Sequence, residues 1–155
     1  MTAKYPEQTP VTALFAGSFD PFTIGHLSIV ARSLPLFDKL VIAVGVNDAK
    51  KGAMPVEERI EAIRQATADL APKIEVTSWS GLTVDLAKKV GATYLLRGAR
   101  TAADFDYEYT LATINRDIAG IETIIMPTLP EHAAICSSVV RELSRFGYNP
   151  SKYLP

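Results

Sequence analysis

Short runs of apolar residues alternate along the chain with segments of helical periodicity. The apolar runs cover residues 11–16, 40–46, 74–79, 92–96 and 121–126. Their continuous apolar character is typical of strands that are buried on both faces of a parallel sheet. We therefore predict five parallel strands.

Between these runs, apolar residues recur at the three- and four-residue spacing of a helix. The predicted helices begin near Gly25, Pro55, Val84, Thr101 and Ser137. Strands that alternate with helices predict an α/β fold, a Rossmann-like open parallel five-stranded sheet with helices on both faces. We expect it to form a single domain over residues 11–155, preceded by a flexible N-terminal extension over residues 1–10.

The composition narrows the possible partners. The chain has 155 residues, of which 48% are hydrophobic and 21% charged, with a formal net charge of -1. This balance gives no basic excess for binding nucleic acid, and no apolar run approaches the roughly 18 residues that span a membrane. Cys136 is the only cysteine, so no internal disulfide can form and a reducing compartment is favoured. We expect a cytoplasmic protein that binds neither nucleic acid nor membrane.

Polar and basic residues follow the carboxyl ends of all five predicted strands. In chain order they are residues 17–26, Lys50, residues 80–83, residues 97–100 and residues 132–138. Ligands of open parallel sheets bind at this edge, near the point where the strand order reverses. The sequence therefore predicts one site assembled from all five segments.

The first of these segments has the features of a phosphate site. Gly17 permits close approach of the backbone, and the start of a helix near Gly25 offers free N–H groups at its positive end. His26, in the first turn, can donate a hydrogen bond to a phosphoryl oxygen as negative charge develops. A lone histidine more often caps or packs a helix, but the strand, turn and helix around His26 favour the phosphate interpretation.

Two segments resemble the signatures of the nucleotidyltransferases whose hallmark is H/T-x-G-H. Residues 17–26, G-S-F-D-P-F-T-I-G-H, resemble the first signature, and residues 135–138, I-C-S-S, resemble the second, I-S-S-[ST]. Residues 97–108, R-G-A-R-T-A-A-D-F-D-Y-E, distinguish families within this superfamily better than the histidine motif alone. With Lys50, they make the chain most similar, within that superfamily, to the bacterial phosphopantetheine adenylyltransferase family over roughly residues 12–155.

This resemblance implies a reaction. The adenylyl group of ATP would pass to 4′-phosphopantetheine, giving dephospho-coenzyme A and pyrophosphate, with His26 as the catalytic residue that stabilises the transition state at the α-phosphate. Because the attacking group is already a phosphate oxyanion, positioning and charge stabilisation suffice without a general base. The resemblance also implies Mg²⁺, held mainly by the ATP phosphates, and a homohexamer.

Matching motif positions imply the remaining site residues. The acceptor-binding residues would be Ser18, Lys50, Thr83 and Arg97. The ATP-binding residues would be Ser18, Phe19, His26, Gly98, Ala99, Arg100, Glu108, His132, Ala133, Ala134, Ile135, Cys136, Ser137 and Ser138. Cys136, His132 and Thr83 depart from the family pattern, in which serine, tryptophan and an apolar residue respectively are common. Asp20 is expected only to support its own turn through local hydrogen bonds.

Other functions remain compatible with the residues. Another adenylyl- or cytidylyltransferase of the superfamily, for example one that uses nicotinate mononucleotide, would share His26, although Lys50 and the Arg97 segment favour phosphopantetheine. A non-catalytic nucleotide-binding module would keep the fold without needing His26. The motif G-x-x-x-x-G-K-[ST] is missing from the sequence, which disfavours a P-loop NTPase.

Overall fold

A computed structural model describes residues 9–155. Five strands form one sheet, and the strands are β1 (Thr12–Gly17), β2 (Lys39–Gly45), β3 (Ile74–Trp79), β4 (Tyr94–Ala99) and β5 (Glu122–Pro127). The strand order is β3-β2-β1-β4-β5, and every pairing is parallel. The predicted open parallel sheet is confirmed, and its order reverses between β1 and β4.

Five α-helices connect and follow the strands. They are α1 (Ile24–Ser33), α2 (Val56–Ala66), α3 (Thr83–Val90), α4 (Ala102–Ala119) and α5 (Ser137–Arg145). Short 3₁₀ turns cover Leu34–Leu36, Ala68–Leu70, Pro130–His132 and Ser151–Tyr153. None of the helices within residues 9–155 is long and apolar enough to cross a membrane.

Alternate residues of the strands face opposite sides of the sheet, and each side has its own core. Phe15 and Ile42 pack with Ile29 of α1 on one side, whereas Leu14 and Val41 pack with residues of α3 on the other. The prediction of helices on both faces is therefore confirmed. Of the expected N-terminal extension, residues 1–8 lie outside the described part of the chain.

The fourth strand differs from its predicted bounds. The apolar run indicated residues 92–96, but β4 continues through Arg97 and Gly98, which pair with Ile125 and Met126 of β5. Backbone pairing extends the strand here although the apolar side chains have ended. As a result Arg97 is held on the sheet itself and does not lie in the loop that follows.

Candidate active site

A cleft of about 240 Å³ opens at the carboxyl ends of β1 and β4, where the strand order reverses. Three of the predicted segments line it: the turn between β1 and α1, the end of β4, and the residues that lead into α5. Among the residues that the structure describes, those lining this cleft include two arginines and no carboxylate. The cleft is therefore suited to an anion.

The turn that carries Ser18 depends on close packing beneath it. A Cβ placed on Gly17 would lie 3.0 Å from Cζ of Phe19, which is closer than such contacts normally allow. Phe19 is buried and adopts a positive φ of 46°. The Phe19 ring therefore packs directly against Gly17, and both Gly17 and Ser18 line the cleft.

His26 is fixed by the start of its own helix. The N-cap residue Thr23 accepts a hydrogen bond from the backbone N–H of His26 at 3.4 Å, and Nδ1 of His26 accepts one from the Thr23 N–H at 3.0 Å. This is a capping box in which histidine replaces the usual Glu or Gln. Because Nδ1 is an acceptor, the neutral ring carries its proton on Nε2, which is the atom left to donate.

The surroundings of His26 keep its ring neutral. Burial lowers the pKa of His26 to about 4, and the positive charges of Arg100 and Arg97 act in the same direction. The ring stacks on Phe22 at 5.4 Å between centroids and meets the edge of Phe19 at 5.1 Å. Near pH 7 His26 is thus an oriented neutral donor.

Arg97 lies at the junction between this cleft and a second cavity. Its Nε and one Nη donate to the two carboxylate oxygens of Glu108 at 2.7 and 2.8 Å. The other Nη donates to the Ala16 carbonyl. Glu108 is only 6% exposed, so a buried carboxylate and the backbone of β1 fix the guanidinium while it still lines both spaces.

The second cavity has a volume of about 270 Å³, and most of the residues that line it are aliphatic. It brings together Thr83, Arg97 and Glu108. Asn115 also lines it, although the sequence analysis did not assign it to the site. Glu108, Leu111, Ala112 and Asn115 recur at the spacing of one helix face, and that periodicity is the signal that could have identified Asn115.

Lys50 lies in neither of these spaces. It borders a wider depression, beside the turn after β1, that is also lined by Ser18, Asn47, Lys51 and Arg59. Ser18 lines both this depression and the cleft. The structure thus groups Lys50 with Ser18, and it groups Thr83 with Arg97.

The positions assigned to ATP by resemblance divide into two groups. Eight of them line the cleft, namely Ser18, Phe19, His26, Gly98, Arg100, Ile135, Cys136 and Ser137. The other six lie outside its lining, namely Ala99, Glu108, His132, Ala133, Ala134 and Ser138.

Two polar residues at the rim of the cleft have fixed partners. The Ser137 hydroxyl donates to the Pro21 carbonyl at 2.8 Å, so this side chain links the start of α5 to that turn. Arg100 is paired with Asp104 at 3.1 Å and projects from the end of β4. The cleft therefore has a cation on one side and a helix N-terminus on the other.

Asp20 makes long-range hydrogen bonds, which differs from the local role expected for it. Its carboxylate accepts the backbone N–H groups of Ala53 at 2.8 Å and Met54 at 3.0 Å. Local turn chemistry describes Asx residues in exposed loops, whereas Asp20 is buried at a junction of two loops.

Comparison with known proteins agrees with this geometry. The fold is that of a cytidylyltransferase-like protein, and a family model of that description matches residues 14–143. A phosphopantetheine adenylyltransferase from Phocaeicola vulgatus is 48% identical over 92% of this chain and 94% of its own length. One from Porphyromonas gingivalis is 50% identical over 92% of this chain and 93% of its own length. The chain belongs to the phosphopantetheine adenylyltransferase family.

Solved structures share the fold at much lower identity. One from Vibrio parahaemolyticus has a TM-score of 0.68 and 20% identity, covering 94% of both chains. A bifunctional NMN adenylyltransferase/ADP ribose pyrophosphatase from Francisella tularensis has a TM-score of 0.67 and 14% identity, covering 94% of this chain and 44% of that one. At these identities the likeness establishes the fold alone.

The described residues contain no group of three or more His, Cys, Asp or Glu side chains arranged to hold a metal ion. Mg²⁺ usually keeps several waters and is bound through substrate phosphates with one or two carboxylates. The donor set of the cleft therefore does not fit a resident Mg²⁺ bound by the protein alone.

Proposed function

We propose that this protein transfers the adenylyl group of ATP to 4′-phosphopantetheine, giving dephospho-coenzyme A and pyrophosphate. The observation that carries the proposal is the shared position of Arg97, which lines both the His26 cleft and the apolar cavity beside α4. A nucleotide in the first space and an acceptor in the second would meet at this guanidinium. The names of relatives at 46–50% identity support the same reaction.

In this reaction an oxygen of the acceptor phosphate attacks the α-phosphorus of ATP. The bond from that phosphorus to the oxygen bridging the α- and β-phosphorus atoms breaks, and pyrophosphate leaves with the electron pair. The Nε2–H of His26 donates to the α-phosphoryl oxygen on which negative charge grows. Free N–H groups at the starts of α1 and α5, together with Arg100, hold the remaining phosphates.

The acceptor would lie with its phosphate between Lys50, Ser18 and Arg97, and with its arm in the apolar cavity. Thr83 and Asn115 line that cavity and offer a hydroxyl and an amide to the polar groups of the arm. An extended arm with apolar and amide groups matches a cavity lined by aliphatic side chains together with the neutral polar side chains of Thr83, Asn115 and Thr123. Nicotinate mononucleotide, which is more compact and charged, matches this lining less well.

Magnesium would arrive with ATP as part of the substrate. The two arginines that line the cleft favour a polyphosphate, whereas no acidic cluster among the described residues would hold the cation by itself. We expect Mg²⁺ to be required for turnover but not for folding.

Exposed apolar side chains on α4 support the proposal of a homohexamer. Tyr107 and Ile114 lie on one flank of α4 and are 63% and 49% exposed in the single chain, and Phe105 and Tyr109 lie on the opposite flank and are 47% and 61% exposed. Exposed apolar patches of this kind mark protein interfaces, and a symmetric assembly of identical chains would cover them. We also expect the protein to work in the cytoplasm, where Cys136 would stay reduced.

The reaction is tested by measuring pyrophosphate release from ATP and Mg²⁺ with either 4′-phosphopantetheine or nicotinate mononucleotide. We expect release with the first acceptor only. Release with the second alone would contradict the assigned acceptor, and no release with either would contradict the adenylyltransferase proposal.

A further inference from the structure

We infer that Asp20 and Arg59 are positioning residues for acceptor binding, which hold the loop carrying Lys50 against the turn carrying Ser18. This inference rests on the proposed function. It assigns a role to two buried charged residues that line the Lys50 depression and not the His26 cleft.

Asp20 fastens the end of the Lys50 loop. It is 6% exposed, and each of its carboxylate oxygens accepts a different backbone N–H, Oδ2 from Ala53 and Oδ1 from Met54. Hydrogen bonds to an ionised carboxylate are stronger than neutral ones. Two consecutive residues of the loop are therefore fixed to the first turn of the site.

Arg59 completes the attachment from the first turns of α2. It is 7% exposed; its Nε donates to the Met54 carbonyl at 3.0 Å, and one Nη donates to the Ser18 carbonyl at 2.9 Å. A single guanidinium therefore joins the loop to the residue that lines both the cleft and the Lys50 depression. The planar fork of arginine allows this double contact, which the single ammonium of lysine does not reproduce.

Gly52 shows how tightly the loop passes these two side chains. A Cβ at this position would lie 2.7 Å from an Nη of Arg59 and 3.1 Å from Oδ2 of Asp20. Glycine is therefore the residue that lets the backbone pass here. Gly52 is two residues beyond Lys50, so the attachment acts directly beside the lysine.

The other end of the loop is fixed independently. The Val46 N–H donates to the Trp79 carbonyl at 2.8 Å, and the Lys50 N–H donates to the Asn47 carbonyl at 3.0 Å. Lys50 thus lies between an anchor on the sheet and the Asp20 and Arg59 anchor. Without the second anchor, the ordering of this loop would have to occur when the acceptor phosphate binds, which weakens binding.

The kinetic test uses Asp20→Asn and Arg59→Lys, which keep side-chain size or charge. Each should raise KM for 4′-phosphopantetheine about 10-fold through loss of charge-assisted hydrogen bonds, with KM for ATP changed less than about 2-fold. Arg64→Lys, an exposed substitution on the same helix, is the matched control and should leave both constants unchanged. Equal changes in the two KM values, or no change in either, would overturn the inference.

A double-mutant cycle tests whether these residues act through Lys50. In a Lys50→Ala background, Asp20→Asn should raise the acceptor KM by less than about 2-fold, since coupled residues are not additive. A full 10-fold effect in that background would show that Asp20 acts by another route. If Asp20→Asn fails to fold, Arg59→Lys replaces it in the same double-mutant cycle with Lys50→Ala.

Limited trypsin digestion tests the attachment without relying on turnover. Cleavage after Lys50 or Lys51 should be faster in both variants than in the unaltered protein and in Arg64→Lys. Unchanged cleavage would overturn the positioning role. Faster cleavage in a protein that shows no release with 4′-phosphopantetheine would instead refute the proposed function and leave the attachment intact.

Discussion

Glu108 binds Arg97 through both carboxylate oxygens, and this pair lies between the two cavities of the site. The resemblance assigned Glu108 to ATP and Arg97 to the acceptor. In the structure both side chains lie together beside Thr83. The pair therefore links α4 to the orientation of the Arg97 guanidinium.

Glu108→Gln tests this relationship. The amide keeps the size of the side chain but loses its charge and one of its acceptors, so Arg97 should be held less firmly. We expect KM for 4′-phosphopantetheine to rise about 10-fold, as for loss of a charge-assisted hydrogen bond, and KM for ATP to change little. Steady-state kinetics with each substrate varied in turn will measure this.

Asp117→Asn is the control for Glu108→Gln, since Asp117 is exposed on the same helix. A rise confined to KM for ATP would support the original assignment of Glu108 to the nucleotide.

His26→Ala removes the donor that we propose acts on the α-phosphate. We expect turnover to fall by about 10²–10³, the effect of losing one preorganised donor, while ATP binding stays within a few-fold of its original strength. Turnover can be followed by pyrophosphate release and binding by titration calorimetry. Unchanged turnover would remove His26 from the mechanism.

The lowered pKa of His26 also predicts a pH dependence of folding stability. The unfolded chain takes up a proton near pH 6.5, whereas folded His26 does so only near pH 4, so the unfolded state binds more protons between these values. The stability linked to neutral His26 is complete above pH 6.5 and is lost as the pH falls toward 4. The loss should be about 3 kcal/mol at most.

His26→Gln provides the comparison for this titration. Glutamine can keep the capping box with Thr23 but does not titrate. Urea unfolding at several pH values should therefore show a smaller decline between pH 6.5 and 4 in this variant. If the free energy of unfolding declines equally with pH in the two proteins, the decline does not come from His26.

The exposed apolar side chains of α4 predict the assembly. Ile114 is 49% exposed in the single chain, and Ile114→Asp would place a charge in any interface that covers it. We expect sedimentation velocity to show a homohexamer for the unaltered protein and smaller species for the variant. A monomer in both cases would refute the proposed assembly.

The sheet and the helices on its two faces were predictable because buried parallel strands consist of continuous apolar residues, such as residues 40–46. The upper part of β4 was not, since Arg97 and Gly98 join the sheet through backbone pairing that hydrophobic periodicity does not register. The pairing of Arg97 with Glu108 joins a strand to a helix, so it depends on tertiary packing that side-chain types alone do not reveal.

The edge of the sheet at which the cavities lie was predictable from the residues that follow the strands. The division of these residues among separate cavities was not. Lys50 and Thr83 both follow strand ends, yet they line different spaces. Asp20 was expected to act locally because a sequence displays neighbours only, whereas its partners lie 33 and 34 residues away. Contacts of that range depend on tertiary packing.

The cavity beside α4 gives the last prediction, which separates acceptor binding from nucleotide binding. Ala112 lines this cavity and does not line the His26 cleft. In Ala112→Leu the larger side chain should fill space needed by the acceptor arm, as overpacking of a confined site does. We expect KM for 4′-phosphopantetheine to rise at least about 10-fold, with ATP binding unchanged by calorimetry. Ala102→Leu, exposed at the start of the same helix, is the control. If Ala112→Leu leaves the acceptor KM unaltered, the arm does not occupy this cavity.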